Sequence, residues 1–275
     1  MKQPIPTIGV FDSGVGGLTV LSALLAQASA ADYLYLGDTA RLPYGSKSQA
    51  TVARYAISSA HFLVEQGAEA LVIACNTASA LALDALRAAV AVPVIGVIET
   101  GATAALQSSQ TKDVLVIATA ATVESHAYSA ACRERGLRAI EKACPLLVPL
   151  VEEGWIEHPV MRQVTAIYLD DLLSHAAAEG MSADTLVLGC THYPLLRGVI
   201  EETLREHDSG RAVRVIDSAR VTAEQVAARL ALESSAHREP QVRFYATDSV
   251  AKFRSLGTRF LGRAIDGVEL IDLGG

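Results

Sequence analysis

The amino-acid sequence predicts an α/β fold with mainly parallel β-sheets. Short apolar runs alternate along the chain with longer amphipathic stretches, which is the pattern of strands followed by helices. The apolar runs are nearly continuous, as expected for strands that are covered on both faces. With 275 residues, of which 51% are hydrophobic and 19% charged, the chain can form one large domain or two ordinary ones.

Nine apolar runs are predicted to be strands, and seven amphipathic stretches are predicted to be helices. The predicted strands are Thr7–Phe11, Tyr33–Leu36, Ala70–Ala74, Val92–Val97, Val114–Ala118, Leu186–Gly189, Val213–Ile216, Val242–Tyr245 and Val268–Ile271. The predicted helices are Leu18–Ala28, Ala50–Gln66, Ala78–Val90, Val123–Arg135, Pro159–Glu179, Leu195–Glu206 and Thr222–Glu233.

The charge and hydropathy patterns argue against nucleic-acid and membrane partners. The formal net charge is −7, and Lys and Arg do not cluster as they do in proteins that bind phosphate backbones. The N-terminal segment lacks the long apolar stretch of a signal peptide. The longest apolar run, Ala88–Ile98, is interrupted by Pro93 and is too short to span a bilayer. We therefore expect a cytoplasmic protein.

The four cysteines, at positions 75, 132, 144 and 190, show no metal-binding spacing. There is no Cys-x-x-Cys pair and no neighbouring His-x-x-x-His element, so we expect no metal site. In a reducing compartment all four are expected to be free thiols. Cys132 and Cys144 are interpreted as small buried hydrophobic residues.

Two segments of the chain resemble each other, and each contains one of the other cysteines. Leu71–Thr77 and Leu186–His192 are both apolar strands that end in cysteine and continue through small polar residues into a helix. The similarity predicts that Cys75 and Cys190 occupy the same structural position in two related domains. Ligands bind at the carboxyl ends of strands in open α/β sheets. Asn76, Thr77, Thr191 and the first helix amides would suit a carboxylate ligand and favour thiolate at the adjacent sulfur.

A glycine-rich turn, Phe11–Leu18, follows the first strand and opens a helix. Its glycines permit a tight turn whose amides point at whatever lies above the helix N-terminus. Neither a Walker motif nor a full dinucleotide fingerprint is present, so the segment is a binding loop or simply a turn. Asp12 either faces a pocket or caps the following helix. The loops Gly37–Thr39 and Pro43–Gly45 are of a kind that often lines sites.

Two separate thiols suit inversion at a carbon acid better than other cysteine chemistry. A hydrolase built on Cys190 and His192 would leave Cys75 without a role, and a disulfide oxidoreductase would need adjacent cysteines. Inversion needs a base on one face of the carbon and an acid on the other, and a thiol can serve as either. Pyridoxal phosphate would need a Schiff-base lysine. None of the five lysines stands at a convincing site position, so we expect no cofactor: Lys2, Lys47, Lys112, Lys142 and Lys252.

Five motifs together, in their order and spacing, resemble those of bacterial glutamate racemases, and the resemblance runs from about residue 7 to residue 220. The motifs are Asp12–Leu18, Gly37–Thr39, Pro43–Gly45, Cys75–Ala78 and Gly189–Pro194. The resemblance implies two similar α/β domains, 1–96 with 212–275 and 97–211, with the active site in the cleft between them. It also implies interconversion of L- and D-glutamate without a cofactor, supplying D-glutamate for peptidoglycan.

The resemblance also assigns roles to individual residues. Cys75 and Cys190 would be the proton donors and acceptors, with Cys75 deprotonating D-glutamate and Cys190 deprotonating L-glutamate. Glu152 would orient and charge-balance His192, although Glu153 follows immediately and a solvated acidic turn is the alternative. The remaining residues would contact substrate or assist the thiols: Asp12, Ser13, Tyr44, Gly45, Asn76, Thr77, Thr191 and His192.

Departures from the family pattern occur at Glu99–Gly101 and Thr119–Thr122; neither is expected to touch the thiols, but both would alter a loop that lines the pocket. Three other functions stay open: an aspartate racemase of the same design, the Cys–His hydrolase, and a protein that binds a dicarboxylate without catalysis. The sequence leaves the oligomeric state open between a monomer and a homodimer.

Overall fold

The chain forms two compact units, each built around a parallel β-sheet. A computed structural model describes residues 5–207, 212–232 and 239–274. Met1–Val97 and Ala219–Gly275 form the first unit, and Ile98–Ser218 form the second. Every strand pair in the two sheets is parallel, which confirms the predicted α/β class. The parts of the predicted domains at 1–4, 208–211, 233–238 and 275 lie outside the described residues.

Ten strands are found in the described ranges, and all nine predicted strands are among them. They are β1 Thr7–Asp12, β2 Asp32–Gly37, β3 Ala70–Ile73, β4 Val94–Gly96, β5 Asp113–Ala118, β6 Arg138–Ala143, β7 Thr185–Gly189, β8 Arg214–Asp217, β9 Val242–Ala246 and β10 Val268–Leu270. The α-helices are α1 Leu18–Gln27, α2 Gln49–Glu65, α3 Asn76–Ala89, α4 Val97–Ser108, α5 Ala120–Glu124, α6 Ala127–Glu134, α7 Leu147–Glu152, α8 Pro159–Ala178, α9 Arg197–His207, α10 Ser218–Arg229 and α11 Val250–Leu261.

The two sheets share one topology. The first has the strand order β10-β9-β2-β1-β3-β4 and the second has β6-β5-β7-β8. The order β2-β1-β3-β4 thus recurs as β6-β5-β7-β8, with the first unit extended by β9 and β10. This recurrence confirms that the two cysteine-containing segments occupy equivalent structural positions, because β3 and β7 are the third strands of the two units.

The apolar core of the first unit lies between its sheet and helices α2 and α3. Leu71 and Ile73 of β3 pack there against Leu63 of α2 and Leu86 of α3, and all four side chains are fully buried. Small residues such as Ala78 let α3 lie close to the sheet. The core therefore fixes the position of α3, whose first turn follows Cys75 directly.

Several elements differ from the sequence predictions for identifiable reasons. β6 was not predicted because three of its six residues, Arg138, Glu141 and Lys142, are charged. The predicted helix Val123–Arg135 is two helices, α5 and α6, since His126 adopts a left-handed conformation with φ of 53°. Helices α4, α7 and α11 were not predicted. The predicted helix at 222–233 begins earlier and ends at Arg229, and Glu233 lies outside the described residues.

The predicted domain boundary at residue 212 is wrong by several residues. The sequence placed 212–275 in the first domain, but β8, Arg214–Asp217, pairs with β7 of the second sheet. The chain returns to the first unit at Ala219, one residue into α10. The physical reason is that β8, which contains Val215 and Ile216, is an edge strand of the second sheet, so the chain cannot leave the second unit before β8 ends. Among the described residues, we find no helix that combines the length and the apolar character needed to cross a membrane.

Gly37→Ala is expected to destabilise the first unit. A Cβ at Gly37 would lie 2.4 Å from the carbonyl oxygen of Gly14 and 2.7 Å from Cε2 of Phe253, so backbone must move. Overpacking of this kind costs about 1–3 kcal/mol of unfolding free energy, measurable by denaturant titration.

The matched control is Gly198→Ala in the exposed first turn of α9, where a Cβ would meet nothing within 4 Å. It should leave stability unchanged or raise it by about 0.5–1 kcal/mol, since alanine is the better helix former. Equal stability of the two variants would contradict the close approach of β2 to the glycine-rich turn.

Candidate active site

Cys75 lies at the carboxyl end of β3 and is the N-cap residue of α3. Its Sγ accepts a hydrogen bond from the amide of Ala78 at 3.4 Å, in the way that a cap oxygen usually does. The residue is buried, with 6% of its surface exposed. Asn76 and Thr77 form the first helical positions and are also buried. A thiol and two polar side chains therefore lie together at a helix N-terminus.

Asp12 and Ser13 lie beside this thiol because β1 pairs with β3. The Sγ of Cys75 is 3.6 Å from Oγ of Ser13. Oδ2 of Asp12 accepts a hydrogen bond from the amide of Gly14 at 2.9 Å. The N-cap of α1 is Gly17, where no side chain caps the helix, so the interpretation of Asp12 as its cap is wrong. A Cβ at Gly17 would lie 2.5 Å from Cβ of Asp12, so glycine allows this close approach.

Burial, and after it the negative charge of Asp12, together raise the pKa of the Cys75 thiol to about 12. The hydrogen bonds from Ala78 and Ser13 act in the opposite direction but are outweighed. The amide of Ala78 at the helix start does favour the thiolate of Cys75, but burial and the charge of Asp12 outweigh this effect. Desolvation disfavours the charged form of an acid, and a neighbouring carboxylate disfavours it again.

Tyr44 lies in the same unit, in a turn that follows β2. Its side chain is buried against Phe11 and Tyr55, with ring centroids 6.1 and 6.0 Å away. Its hydroxyl donates to Oδ2 of Asp38, a fully buried carboxylate. Burial, and then the charge of Asp38, raise the pKa of Tyr44, so the phenol stays protonated. Gly45 is half-buried beside it.

No role is predicted for Asp38 from the sequence. It stands in a loop whose polar residues look like those of many loops. The sequence feature that indicates an ion pair at Asp38 is an arginine three residues later, Arg41. Its Nε binds both carboxylate oxygens, at 2.9 and 2.7 Å.

Cys190 follows β7 in the second unit, in the position that Cys75 has after β3. It is buried, with 5% of its surface exposed. Its Sγ lies 4.0 Å from Nδ1 of His192, and Oγ1 of Thr191 lies 3.4 Å from the same nitrogen. Tyr193 begins a short 3₁₀ turn rather than an α-helix, and its hydroxyl donates to the carbonyl of Cys144 at 2.9 Å. The turn and this bond hold the segment that carries His192.

Glu152, and not Glu153, contacts His192. Oε1 of Glu152 lies 3.3 Å from Nε2 of the imidazole, while Glu153 is exposed at the end of α7. Nε2 of the imidazole thus contacts the carboxylate of Glu152, and Nδ1 lies on the side of Cys190 Sγ. A carboxylate held this way orients a histidine and stabilises its charged form.

Comparison of the sequence with known proteins shows which family the chain belongs to. Residues 8–226 match the family model described as Asp/Glu/Hydantoin racemase. The chain belongs to this family. A glutamate racemase of Koribacter versatilis is 50% identical over 299 residues, covering 100% of both chains. The protein is therefore an isomerase, an amino-acid racemase of the Asp/Glu/Hydantoin racemase family.

Solved structures agree. Glutamate racemase from Francisella tularensis, in complex with D-glutamate, has a TM-score of 0.84 and 35% identity over 98% of both chains. Glutamate racemase from Thermus thermophilus, in complex with β-chloro-D-alanine, has a TM-score of 0.84 and 42% identity over 99% of both chains. The two-domain α/β fold expected from the motifs is thereby confirmed.

Two expected loops of this racemase belong to helices. Glu99–Gly101 lies within the first turns of α4, and Thr119 is the N-cap of α5, so neither departure from the family pattern is a free loop. Cys132 and Cys144 are buried free thiols. Within the described ranges, no group of three His, Cys, Asp or Glu side chains could hold a metal ion.

Asp12→Asn is expected to lower the pKa of Cys75 below its value of about 12, since the carboxylate charge raises it. Asparagine keeps an oxygen for the amide of Gly14, so the turn should persist. The pH dependence of iodoacetamide alkylation, followed at the Cys75 peptide by mass spectrometry, reports the thiolate directly.

Ser13→Ala provides the control of opposite sign. The hydrogen bond from Ser13 lowers the pKa of Cys75, so its loss should move alkylation to higher pH. Shifts of both variants in one direction would contradict this account of the electrostatics.

Proposed function

We propose that this racemase interconverts L- and D-glutamate without a cofactor, using Cys75 and Cys190 as its two acid/base groups. The observation that carries the proposal is the equivalent placement of two buried thiols, after the third strand of each sheet. The glutamate racemases among its relatives support the substrate. The D-glutamate produced would supply peptidoglycan synthesis in the cytoplasm.

Each thiol acts on one face of the substrate α-carbon. In one direction the Cys75 thiolate removes the α-proton of D-glutamate, and the Cys190 thiol donates its proton to the other face, giving L-glutamate. Cys75 is then a thiol and Cys190 a thiolate, which is the protonation state for the reverse reaction. The number of protons is conserved in each turnover.

The raised pKa of Cys75 makes its thiolate a strong base once it forms. At neutral pH the unliganded thiol is protonated, so a change in its surroundings has to release the proton. The α-ammonium of bound substrate supplies that change, because a nearby positive charge lowers a thiol pKa. Asp12 accepts the thiol proton as the thiolate forms, which also removes the carboxylate charge that raises the Cys75 pKa, and the ammonium then balances the charge of the thiolate. The site thus makes its base when substrate arrives.

Cys190 is served by different chemistry. His192, held by Glu152 through Nε2, directs Nδ1 toward the sulfur at 4.0 Å. A protonated imidazole at this distance stabilises the thiolate of Cys190 by donating a hydrogen bond to it while keeping its own proton. Glu152 fixes the ring orientation and balances its charge.

The remaining polar residues bind the substrate carboxylates. Asn76 and Thr77 open α3, where backbone amides and the helix dipole favour an anion. Ser13 offers a hydroxyl group beside the thiol of Cys75, and Thr191 offers one beside Nδ1 of His192. Gly45 and the backbone of Tyr44 complete the set, since the hydroxyl of Tyr44 is already bonded to Asp38.

Purified protein stripped by exhaustive dialysis against chelator, in the presence of carbonyl reagents, should still convert L-glutamate to the racemic mixture. Circular dichroism follows the conversion, and deuterium from D2O should enter the α-position of the product. Activity that is lost and then restored by pyridoxal phosphate would exclude the two-thiol mechanism.

The same preparation separates the other functions. Faster racemisation of aspartate than of glutamate would change the assigned substrate. A trapped acyl-enzyme at Cys190 would indicate a hydrolase, and glutamate binding without deuterium incorporation would indicate a binding protein.

Cys75→Ser and Cys190→Ser should each abolish racemisation, because serine is a far weaker acid and base than cysteine near neutral pH. With β-chloroglutamate, loss of chloride after deprotonation requires only one base. Each variant should therefore retain elimination from one enantiomer: Cys190→Ser from the D form and Cys75→Ser from the L form.

Cys132→Ser is the matched control, since this thiol is buried in α6 and has no place in the mechanism. It should racemise glutamate normally. Loss of elimination from the same enantiomer in both active-site variants would overturn the assignment of one thiol to each face.

A further inference from the structure

A buried carboxylate organises the turn that contains Tyr44 and Gly45. Asp38 follows β2 directly, and its side chain is completely inaccessible to solvent. It accepts hydrogen bonds from Nε of Arg41, from the hydroxyl of Tyr44 and, at 2.9 Å, from Oγ1 of Thr247. We call these four residues the Asp38 cluster: Asp38, Arg41, Tyr44 and Thr247.

The charge of Asp38 is balanced locally. The side chain of Arg41 is only 9% exposed and binds the carboxylate through Nε. Its guanidinium carbon also lies 4.5 Å from the centre of the Tyr55 ring, within the range of a cation–π contact. The buried carboxylate is well satisfied by an ionic partner and hydroxyl donors, and charge-assisted hydrogen bonds of this kind are strong.

A second set of hydrogen bonds ties the start of the turn to the segment after β9. The hydroxyl of Thr39 donates to the carbonyl of Asp248 at 2.6 Å and accepts from the amide of Asp248 at 2.9 Å. The amide of Ala40 donates to Oγ1 of Thr247 at 2.9 Å. Thr247 therefore bridges the turn backbone and the buried carboxylate with one hydroxyl.

The cluster also connects to the strand that ends in Asp12. The backbone amide of Asp38 donates to the carbonyl of Asp12 at 3.0 Å. Tyr44 packs on Phe11 of the same strand. The turn is thus fixed at its beginning by Asp38, at its far end by Tyr44, and from outside by Thr247.

We propose that Asp38 is a positioning residue for substrate binding, which fixes the Tyr44–Gly45 backbone through Arg41, Tyr44 and Thr247. The inference rests on the proposed function, since it takes that backbone as part of the glutamate site. Thr247 lies beyond residues 8–226, the part of the chain that matches the family model. The strand pair at the end of the chain therefore contributes to the shape of the site.

The chemistry at position 38 requires a carboxylate. Asparagine has one acceptor oxygen, and its amide group would face donors on Arg41, Tyr44 or Thr247. The two hydroxyls can rotate to accept, but a guanidinium cannot. Asp38→Asn would also leave the buried charge of Arg41 without its partner. Both effects loosen the turn while leaving the two thiols and their neighbours in place.

The test compares Asp38→Asn, Thr247→Val and Thr247→Ser with the full-length wild-type protein. Steady-state racemisation of glutamate is measured in both directions, well below the unfolding midpoint of each variant. Asp38→Asn and Thr247→Val should raise KM by about three- to tenfold, as expected for loss of one buried hydrogen bond. The kcat should stay within about twofold, since binding rather than proton transfer is impaired. Thr247→Ser keeps the hydroxyl and should restore KM.

Thr258→Val on α11 is the matched control, because within the described part of the chain its exposed hydroxyl bonds only to the carbonyl of Arg254 in its own helix. It should keep the wild-type KM. If Asp38→Asn fails to fold, the pair Thr247→Val and Thr247→Ser decides the question. A lowered Tm with unchanged KM in Thr247→Val would overturn the proposal, since the cluster would then be structural only. A wild-type protein that does not racemise glutamate would instead refute the proposed function.

Discussion

The parallel pairing of β1 with β3, and of β5 with β7, is the constraint on which the site depends. Parallel strands end at the same edge of a sheet, so residues that follow neighbouring strands are brought together without being close in sequence. Asp12 and Ser13 meet Cys75 for this reason, although more than sixty positions separate them. The same rule places Cys190 beside the end of β5. A register shift of one residue in either pair would turn the side chains of the shifted strand to the opposite face of its sheet and misplace the residues that follow it.

The two units use one topology to give their thiols different electrostatic surroundings. Asp12 ends β1, and the corresponding last residue of β5 is Ala118. Cys75 therefore has a carboxylate beside it, which raises its pKa, while Cys190 has an imidazole in reach of its sulfur. In a two-thiol racemase, each thiol must release its proton in one direction of the reaction and take up a proton in the other. Different surroundings for two similar groups allow each thiol to be tuned separately.

The sequence predicted the fold well because buried parallel strands are written as continuous apolar runs. It failed where tertiary contacts decide: β6 is an edge strand with charged residues, and His126 breaks a helix that the apolar pattern made continuous. The cysteines could be found from their equivalent settings. The raised pKa of Cys75 could not, because burial and the distance to Asp12 are properties of the folded chain. The choice between Glu152 and Glu153 likewise needed the direction in which each side chain leaves α7.

The first unit is discontinuous in the chain, whereas the second is one continuous segment. Strand β9 pairs with β2 across an interval of about two hundred residues, and Thr247 reaches the turn after β2 across a similar one. During synthesis the second unit has all of its strands before β9 exists, and domains generally fold as units as they emerge from the ribosome. The first unit must wait with its β2 edge unpaired. Closure of a loop this long makes the final strand pairing a late and slow step of folding. The racemase therefore acquires the surroundings of Cys190 early, and completes the turn at Tyr44 and Gly45 only when its last strands are made.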